Sequence, residues 1–348
     1  MLKPTDFQAA LLDWYDLSGR HDLPWQKVST PYTVWLSEIM LQQTQVNTVI
    51  PYFLKFIQRF PTLESLAAAP AQDVMQHWAG LGYYARARNL HKTAQILVQA
   101  FQGQFPQTLE QMMSLPGIGR STAGAILSFC FAHPHPILDG NVRRVLARYA
   151  GIYGYTGDPK IQTQLWALAS HYTPTLRVGE YTQAMMDLGA TLCTRSQPAC
   201  TRCPVHPSCY AHQHQKTQAL PTPKPSKVRP LREAYFLFFI SQDQIALQHR
   251  ASQSQGLWNG LFAPLWFDSE PDMLAYLHTH HISATPHHHS EQSHGFTHFQ
   301  LVFIPVTLNI HPQNQLPPTP GLAWHPLKNL SQLGLPAPIQ KWLAKLHP

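Results

Sequence analysis

The sequence predicts a two-domain protein: an all-α domain over residues 1–215, a linker over 216–232 and a smaller α+β domain over 233–348. Three observations carry that reading. No stretch of residues 1–192 alternates apolar and polar side chains for long, whereas helical spacing recurs throughout. Between 216 and 232 the chain turns proline-rich and basic, with Lys216, Pro221, Pro223, Lys224, Pro225, Lys227 and Pro230, a composition that suits a linker. Beyond it, residues 234–240 and 300–306 are apolar, strand-like runs, while 270–278 and 339–346 are patterned as helices. A chain of 348 residues is long enough to bury two cores.

From the start, residues 6–17 set Phe7, Leu11, Leu12, Trp14 and Tyr15 at the spacing of an amphipathic helix, and His21 to Gln26 form a turn that carries Trp25. In the segment Thr30 to Thr44, Glu38 is the only charge between Lys27 and Lys55. A carboxyl among Val34, Leu36, Ile39, Met40 and Leu41 is costly to ionise if buried, so its pKa rises toward neutrality, as suits a general acid. A glutamate on a solvated helix face is the other reading. Gln42 and Gln43 follow, and long uncharged amides can probe base edges, although surface glutamines are common. Helical patterns continue over 46–60, 62–69 and 71–79. Gly80-Leu81-Gly82-Tyr83-Tyr84-Ala85-Arg86-Ala87-Arg88 then sets tyrosines between glycines and arginines. Rings there suit stacking on or wedging between bases, with Arg86 on a phosphate; tyrosines that pack into the core fit the same text.

Helices resume over 90–101, and Thr108 caps a short helix that Pro116 halts. In Leu115-Pro116-Gly117-Ile118-Gly119-Arg120 the two glycines let the backbone turn tightly and bare its amides before a second helix from Ser121 to Ser128. Amides at Gly117 and Gly119, with the positive end of that helix, make a seat for a phosphate oxygen. An ordinary helix–helix connection has the same sequence. Asp139 lies 20 residues past Gly119, a lone acid in a neighbourhood that is otherwise apolar and basic and includes Arg143 as a second phosphate contact. A phosphate grip beside an isolated carboxylate points to an enzyme acting on nucleic acid. Residues 161–171 and 179–192 complete the helical part.

Cys193, Cys200, Cys203 and Cys209 are spaced C-x6-C-x2-C-x5-C. Four soft ligands this close in a reducing compartment mean metal rather than disulfides. Structural zinc prefers paired short knuckles, whereas one C-x2-C flanked by longer arms, with Pro204 after the third cysteine, favours one 4Fe–4S cluster. Cys130 stands in an apolar helix and reads as a core residue.

Lys and Arg outnumber Asp and Glu by 25 to 18, which favours a polyanionic partner. Residues 1–225 hold 18 basic and 12 acidic side chains and residues 226–348 hold 7 and 6, so the surplus belongs to the first part. No run of eighteen apolar residues predicts a membrane span, and the N-terminus lacks the pattern of a signal peptide, so the cytoplasm is the expected compartment.

Together, Leu23-Pro24-Trp25, Ser37-Glu38-Ile39-Met40-Leu41-Gln42-Gln43-Thr44, Gly80-Leu81-Gly82-Tyr83-Tyr84, Leu115-Pro116-Gly117-Ile118-Gly119, Leu138-Asp139-Gly140-Asn141 and the four cysteines resemble the helix–hairpin–helix DNA glycosylases, specifically their MutY-type adenine-specific branch. The resemblance covers nearly the whole chain. It implies a monofunctional base-excision-repair hydrolase of the bacterial cytoplasm, at the nucleoid, that flips adenine out of duplex DNA where it is mispaired with 8-oxoguanine or G. It further implies that Glu38 is the acid that protonates adenine at N7, that Asp139 stabilises the sugar cation and that Asn141 positions them. Trp25 and Gln183 match positions lining the adenine pocket, and Gln43 and Tyr83 match residues that enter the base stack. Ser121 stands where the related endonuclease III-type lyases have a Schiff-base lysine, which implies little or no strand cleavage.

The tail resembles the family's Nudix-like 8-oxoguanine-recognition domain through Gly256-Leu257-Trp258-Asn259-Gly260-Leu261-Phe262 and through Phe296-Thr297-His298, which matches the lesion-sensing loop. Its six acids are scattered, whereas a working Nudix hydrolase needs a helix dense in glutamates. Duplex DNA is thus the expected partner, with no membrane, and an asymmetric substrate leads us to expect a monomer. Two rivals remain: a bifunctional glycosylase–lyase on oxidised pyrimidines, which would want lysine at 121, and a non-catalytic DNA-binding protein, which would have no use for Glu38 paired with Asp139.

Overall fold

The computed structural model describes residues 1–225, 228–250, 257–296, 298–311 and 316–346. Its helices, in chain order, are α1 (Pro4–Ser18), α2 (Pro24–Lys27), α3 (Pro31–Leu41), α4 (Val46–Arg59), α5 (Leu63–Ala68), α6 (Ala71–Trp78), α7 (Ala85–Phe101) and α8 (Leu109–Met113). They continue as α9 (Arg120–Phe131), α10 (Gly140–Ala150), α11 (Pro159–Tyr172), α12 (Val178–Asp187), α13 (Tyr210–Gln213), α14 (Glu270–Thr279) and α15 (Ala337–Leu346).

The chain forms two compact units, Met1–Ala68 with Asn89–Ser226 and Ala69–Arg88 with Lys227–Pro348. The cut differs from the one composition predicts, because α6 and the turn after it go with the tail. Tyr84 donates its hydroxyl to the Leu335 carbonyl at 3.2 Å, and Arg88 Nη1 donates to the Asn259 carbonyl at 3.2 Å. Contacts so distant along the chain leave no mark on local composition. The expected linker also begins as packed chain. Leu220 is buried, its carbonyl accepts from Arg148 Nε at 2.8 Å, and Thr222 Oγ1 accepts from Gly154 N at 2.9 Å.

The first unit is all-helical as the spacing predicts. Its core gathers the apolar stripes of α1, α10, α11 and α12 around a cluster of rings, with Phe7 4.9 Å from Tyr149 and 4.6 Å from Tyr172. The pattern read as a helix over 179–192 is α12 followed by a π-helical turn, Leu188–Leu192. A Cβ on Gly189 would stand 2.5 Å from Asn141 Cβ, so a glycine is what lets this turn lie against the start of α10.

The second unit is built on a mixed sheet of β1 (Leu231–Ser241), β2 (Gln244–His249), β3 (Phe262–Ala263), β4 (Leu265–Phe267), β5 (His287–His288), β6 (Gln292–Gly295), β7 (Gln300–Asn309) and β8 (Leu322–Pro326). Strands β1 and β7 pair in parallel from Leu231↔Gln300 to Ile240↔Asn309, and the other pairs are antiparallel. Strand β1 is apolar on both faces because both are covered. Leu237 and Phe239 pack with Met273 and Leu277 of α14, while Phe238 stacks on Trp342 of α15 at 4.4 Å.

Candidate active site

Glu38 is delivered by α3, whose start is fixed by Pro31 and by a reciprocal pair at its cap: Thr33 N donates to Thr30 Oγ1 at 3.2 Å, and Thr30 N to Thr33 Oγ1 at 2.9 Å. Nearly the whole helix is buried, from Tyr32 to Ser37 and again at Ile39 and Met40, and Glu38 is its only ionisable carboxyl. Burial pushes Glu38 up to about 8, with the Asp139 charge pushing the same way.

Asp139 caps α10, where its Oδ1 accepts from Val142 N at 2.8 Å. Burial raises this carboxyl too, but the amides of Val142 and Asn141 and the guanidinium groups of Arg144 and Arg143 pull it down. The positive end of α10 acts in the same sense. Nothing comparable relieves Glu38, so of the two Glu38 is the one that keeps its proton. Ser121, in the first turn of α9, accepts from Leu138 N at 3.0 Å and thereby ties down the backbone before Asp139.

The two carboxyls border one cleft of about 760 Å³. Trp25, Gln42, Gln43, Ser121, Asn141, Arg143 and Gln183 line it as well, so the structure brings together every residue predicted from this unit for base handling. Trp25 is buried on α2, its ring set edge-on to Phe53 with centroids 5.4 Å apart, in what the sequence reads as a turn. Gln42 Nε2 reaches Thr122 Oγ1 at 3.4 Å. Gln43 is exposed at φ +60, a left-handed conformation rare for a residue with a side chain, which turns it outward past the end of α3.

The hairpin between α8 and α9 is as predicted. Gly117 has φ +81, and a Cβ there would lie 2.9 Å from Asn89 Cβ; Gly119 is exposed with open space where a Cβ would sit. Arg143 Nε is buried with no hydrogen-bond partner among the described residues. Arg86 corrects the sequence reading. It is buried, Nη2 donates to the carbonyls of Leu81 and Gly82 at 3.4 and 3.3 Å, and its guanidinium lies 5.3 Å from the Trp78 ring and 5.4 Å from that of Tyr83. Burial draws Arg86 down to about 10. It braces its own turn and has no free face for a phosphate. Arg86→Gln is therefore expected to lower Tm and leave the salt dependence of duplex binding unchanged, whereas Arg143→Gln should reduce the slope of log K against log salt by about one.

Cys193, Cys200, Cys203 and Cys209 surround a cavity of about 30 Å³, while Cys130 lies elsewhere with its thiol pushed up to about 12 by burial and by Glu38. Arg148, itself buried, donates from Nη1 to Cys193 Sγ at 3.3 Å and to the Thr194 carbonyl at 2.6 Å, and from Nη2 to the Arg195 carbonyl at 2.9 Å. Four sulfurs around a common cavity, with a guanidinium to offset their charge, fit a thiolate-held cluster. Among the described residues, no group of three or more His, Cys, Asp or Glu side chains is gathered for a single metal ion.

In the second unit, Tyr83 is 48% exposed at φ +49 between Gly82 and Tyr84. Phe296 N donates to the Phe299 carbonyl at 2.9 Å and closes the tip between β6 and β7; the two rings stack at 4.7 Å, and His298 is exposed beside them. Thr297 and Gly256 lie outside the described residues.

Residues 36–171 match the family of HhH-GPD superfamily base excision DNA repair proteins, and residues 234–345 match the NUDIX domain. An adenine DNA glycosylase of Buchnera aphidicola subsp. Schizaphis graminum is 40% identical over 341 residues, covering 97% of each chain. The chain belongs to the adenine DNA glycosylase family. It is a DNA N-glycosylase of base excision repair. The human adenine DNA glycosylase is 44% identical over 225 residues, 62% of this chain and 41% of the human one. The fold is shared with a thermostable thymine-DNA glycosylase (TM-score 0.56, 25% identity, 61% of this chain and 97% of that one). It is also shared with endonuclease III in a trapped covalent complex with DNA (TM-score 0.52, 21% identity, 62% and 99%).

Several residues of the glycosylase that hold this geometry escaped the sequence reading. Asp187, fully buried, accepts from Arg20 N at 2.7 Å, from Arg20 Nε and Nη2 at 2.9 and 2.6 Å, and from Gln183 Nε2 at 2.8 Å. Arg144 donates to Asn141 Oδ1 at 2.8 Å, to the Gly189 carbonyl at 2.7 Å and to the Cys193 carbonyl at 2.7 Å, linking Asn141 to the cysteine loop. Sequence held one signal for Arg148: it falls among Val145, Leu146, Ala147 and Tyr149 on the buried face of α10, where a cation must find carbonyls.

Proposed function

We propose that this glycosylase removes adenine paired with 8-oxoguanine or with guanine, by hydrolysis and without cutting the strand. The observation that carries the reading is the single cleft that Glu38 and Asp139 both border, with burial raising the Glu38 carboxyl. Adenine, flipped from the duplex, lies along Trp25 and Gln183. Glu38 gives its proton to N7, so the bond between N9 and C1′ breaks with its electron pair on a neutral base. The carboxylate of Asp139 balances the cation left on the sugar. Water then adds its oxygen to C1′ and returns a proton to Glu38, leaving a hydroxyl on the sugar and the acid restored. The protein acts as a monomer in this reading, since a mispaired duplex has no two-fold symmetry.

Ser121 supports the absence of strand cleavage, because it offers a hydroxyl, held by the Leu138 amide, and no amine to form a Schiff base. The cations on the cleft wall are Arg20, Arg143, Arg144 and Arg195, and a guanidinium does not form a Schiff base. For the tail, which reads the opposite base in this proposal, acids engaged elsewhere speak against metal-dependent hydrolysis: Glu270 pairs with His288 at 2.9 Å, and Asp272 with Ser269. Cys193, Cys200, Cys203 and Cys209 hold one 4Fe–4S cluster in the same reading. When bound, such a cluster cross-links the loop at four points beside Arg144 and Arg148. The purified chain should contain iron and acid-labile sulfide in equal amounts; zinc in their place overturns that assignment.

Single-turnover assays test the whole. Adenine release is expected from duplexes with A opposite 8-oxoguanine and, more slowly, A opposite G, with none from thymine glycol. Efficient trapping of an enzyme–DNA adduct by borohydride would refute monofunctional action. Because the working form of Glu38 is protonated and that of Asp139 ionised, the release rate should fall as pH rises through about 8 and fall again in acid as Asp139 takes up a proton.

A further inference from the structure

A second cavity, of about 610 Å³, lies behind the reaction centre and shares Trp25, Glu38 and Gln183 with the cleft. The same three helices serve both. Helix α3 gives Val34 and Ser37 to the second cavity and Leu41 to the cleft; α9 gives Ser128 and Phe129 to one and Thr122 to the other; α12 gives Val178 and Gly179 to one and Met186 to the other. At about 1.5 Å per residue these contributions lie roughly 10 Å apart along each helix. The two spaces therefore open toward opposite ends of the helices and meet midway, at Glu38 and Gln183.

We infer that this second cavity is a rear chamber that accepts the free, neutral base once its bond to the sugar is broken, while the abasic strand still fills the cleft. The inference rests on the reading that adenine reaches Glu38 through the cleft. Its walls suit a planar, uncharged heteroaromatic ring. Tyr15, Trp25 and Phe129 offer rings, and Gln183 offers an amide. Burial pushes Tyr15 up to about 12, so that wall stays neutral. Two hydroxyls of its helical walls are engaged, Ser37 with the Val34 carbonyl at 2.8 Å and Ser128 with the carbonyls of His133 and His135 at 3.2 and 3.1 Å. Such walls hold a base loosely and pass it on. The mouth is exposed and charged, with Arg177 paired to Asp16 and Glu180 at 2.6 and 3.1 Å and Ser29 and Thr175 beside it. A base that leaves by this route need not wait for the DNA.

The test uses free 2-aminopurine, which is fluorescent, on the full chain bound to a duplex carrying a stable abasic analogue. Saturable binding is expected, reversed by free adenine. Ser29→Trp and Thr175→Trp, at the exposed mouth, should each weaken it at least tenfold and leave single-turnover release within about twofold of the parent. Tm and duplex affinity check that both variants fold. If the duplex expels the free base, or if neither tryptophan changes its affinity, the base leaves through the cleft and the inference fails. Failure of the parent to release adenine at all would instead refute the assignment of the cleft.

Discussion

Glu38→Gln is expected to lower single-turnover release of adenine by about 10²- to 10⁴-fold, the range a positioned general acid supplies, with duplex affinity unchanged. The amide keeps the shape and removes the proton. The same substitution should raise Tm. Folding shifts Glu38 from its ordinary value to about 8. Below the unfolded value the group is neutral in both states and costs nothing. As pH rises from there through about 8, the unfolded chain ionises first, and the native state loses stability relative to it. The full shift corresponds to an upper bound of roughly 5 kcal/mol, which water reaching the carboxyl through the cleft reduces. Melting curves should therefore show Glu38→Gln above the parent at pH 8.5, with the two converging at pH 4.5. A gap independent of pH would place the origin of the effect elsewhere than the carboxyl.

Asp139→Asn is expected to cost about as much in release, for a different reason. The Asn side chain still accepts from Val142 N, so α10 remains capped, but the charge that balances the sugar cation is gone. Asp139→Ala should be equally slow and, in addition, less stable by about 1 kcal/mol through loss of the cap. Comparing rate and Tm across the two variants separates the chemical role of the carboxyl from its structural one. Retention of fast release in Asp139→Asn would remove this residue from the reaction.

Much of this was legible in local text. Glu38, uncharged neighbours on either side, announced a perturbed acid, and burial in α3 delivers one. Pro116, Gly117 and Gly119 spelled a tight hairpin, and the left-handed φ at Gly117 is the conformation that such a turn requires. The apolar runs of β1 and β7 announced covered strands, which is what α14 and α15 make them. Arg86 was misread because a guanidinium beside tyrosines has the same sequence whether it faces DNA or, as here, is enclosed by Trp78, Tyr83 and the carbonyls of its own turn.

By itself the sequence determined the classes of the two domains, the caps and breaks of the helices, and the residue types with the chemistry to act. These follow from periodicity and backbone preference, which operate within a few residues. Only the tertiary structure decided that Glu38 and Asp139 border one cleft, that Asp187 orients Gln183 and Arg20, that Arg148 holds the cysteine loop, and that residues 69–88 fold with the tail. Each depends on groups far apart in the chain, and which of them meet is set by the packing of whole helices, a quantity that no local pattern encodes.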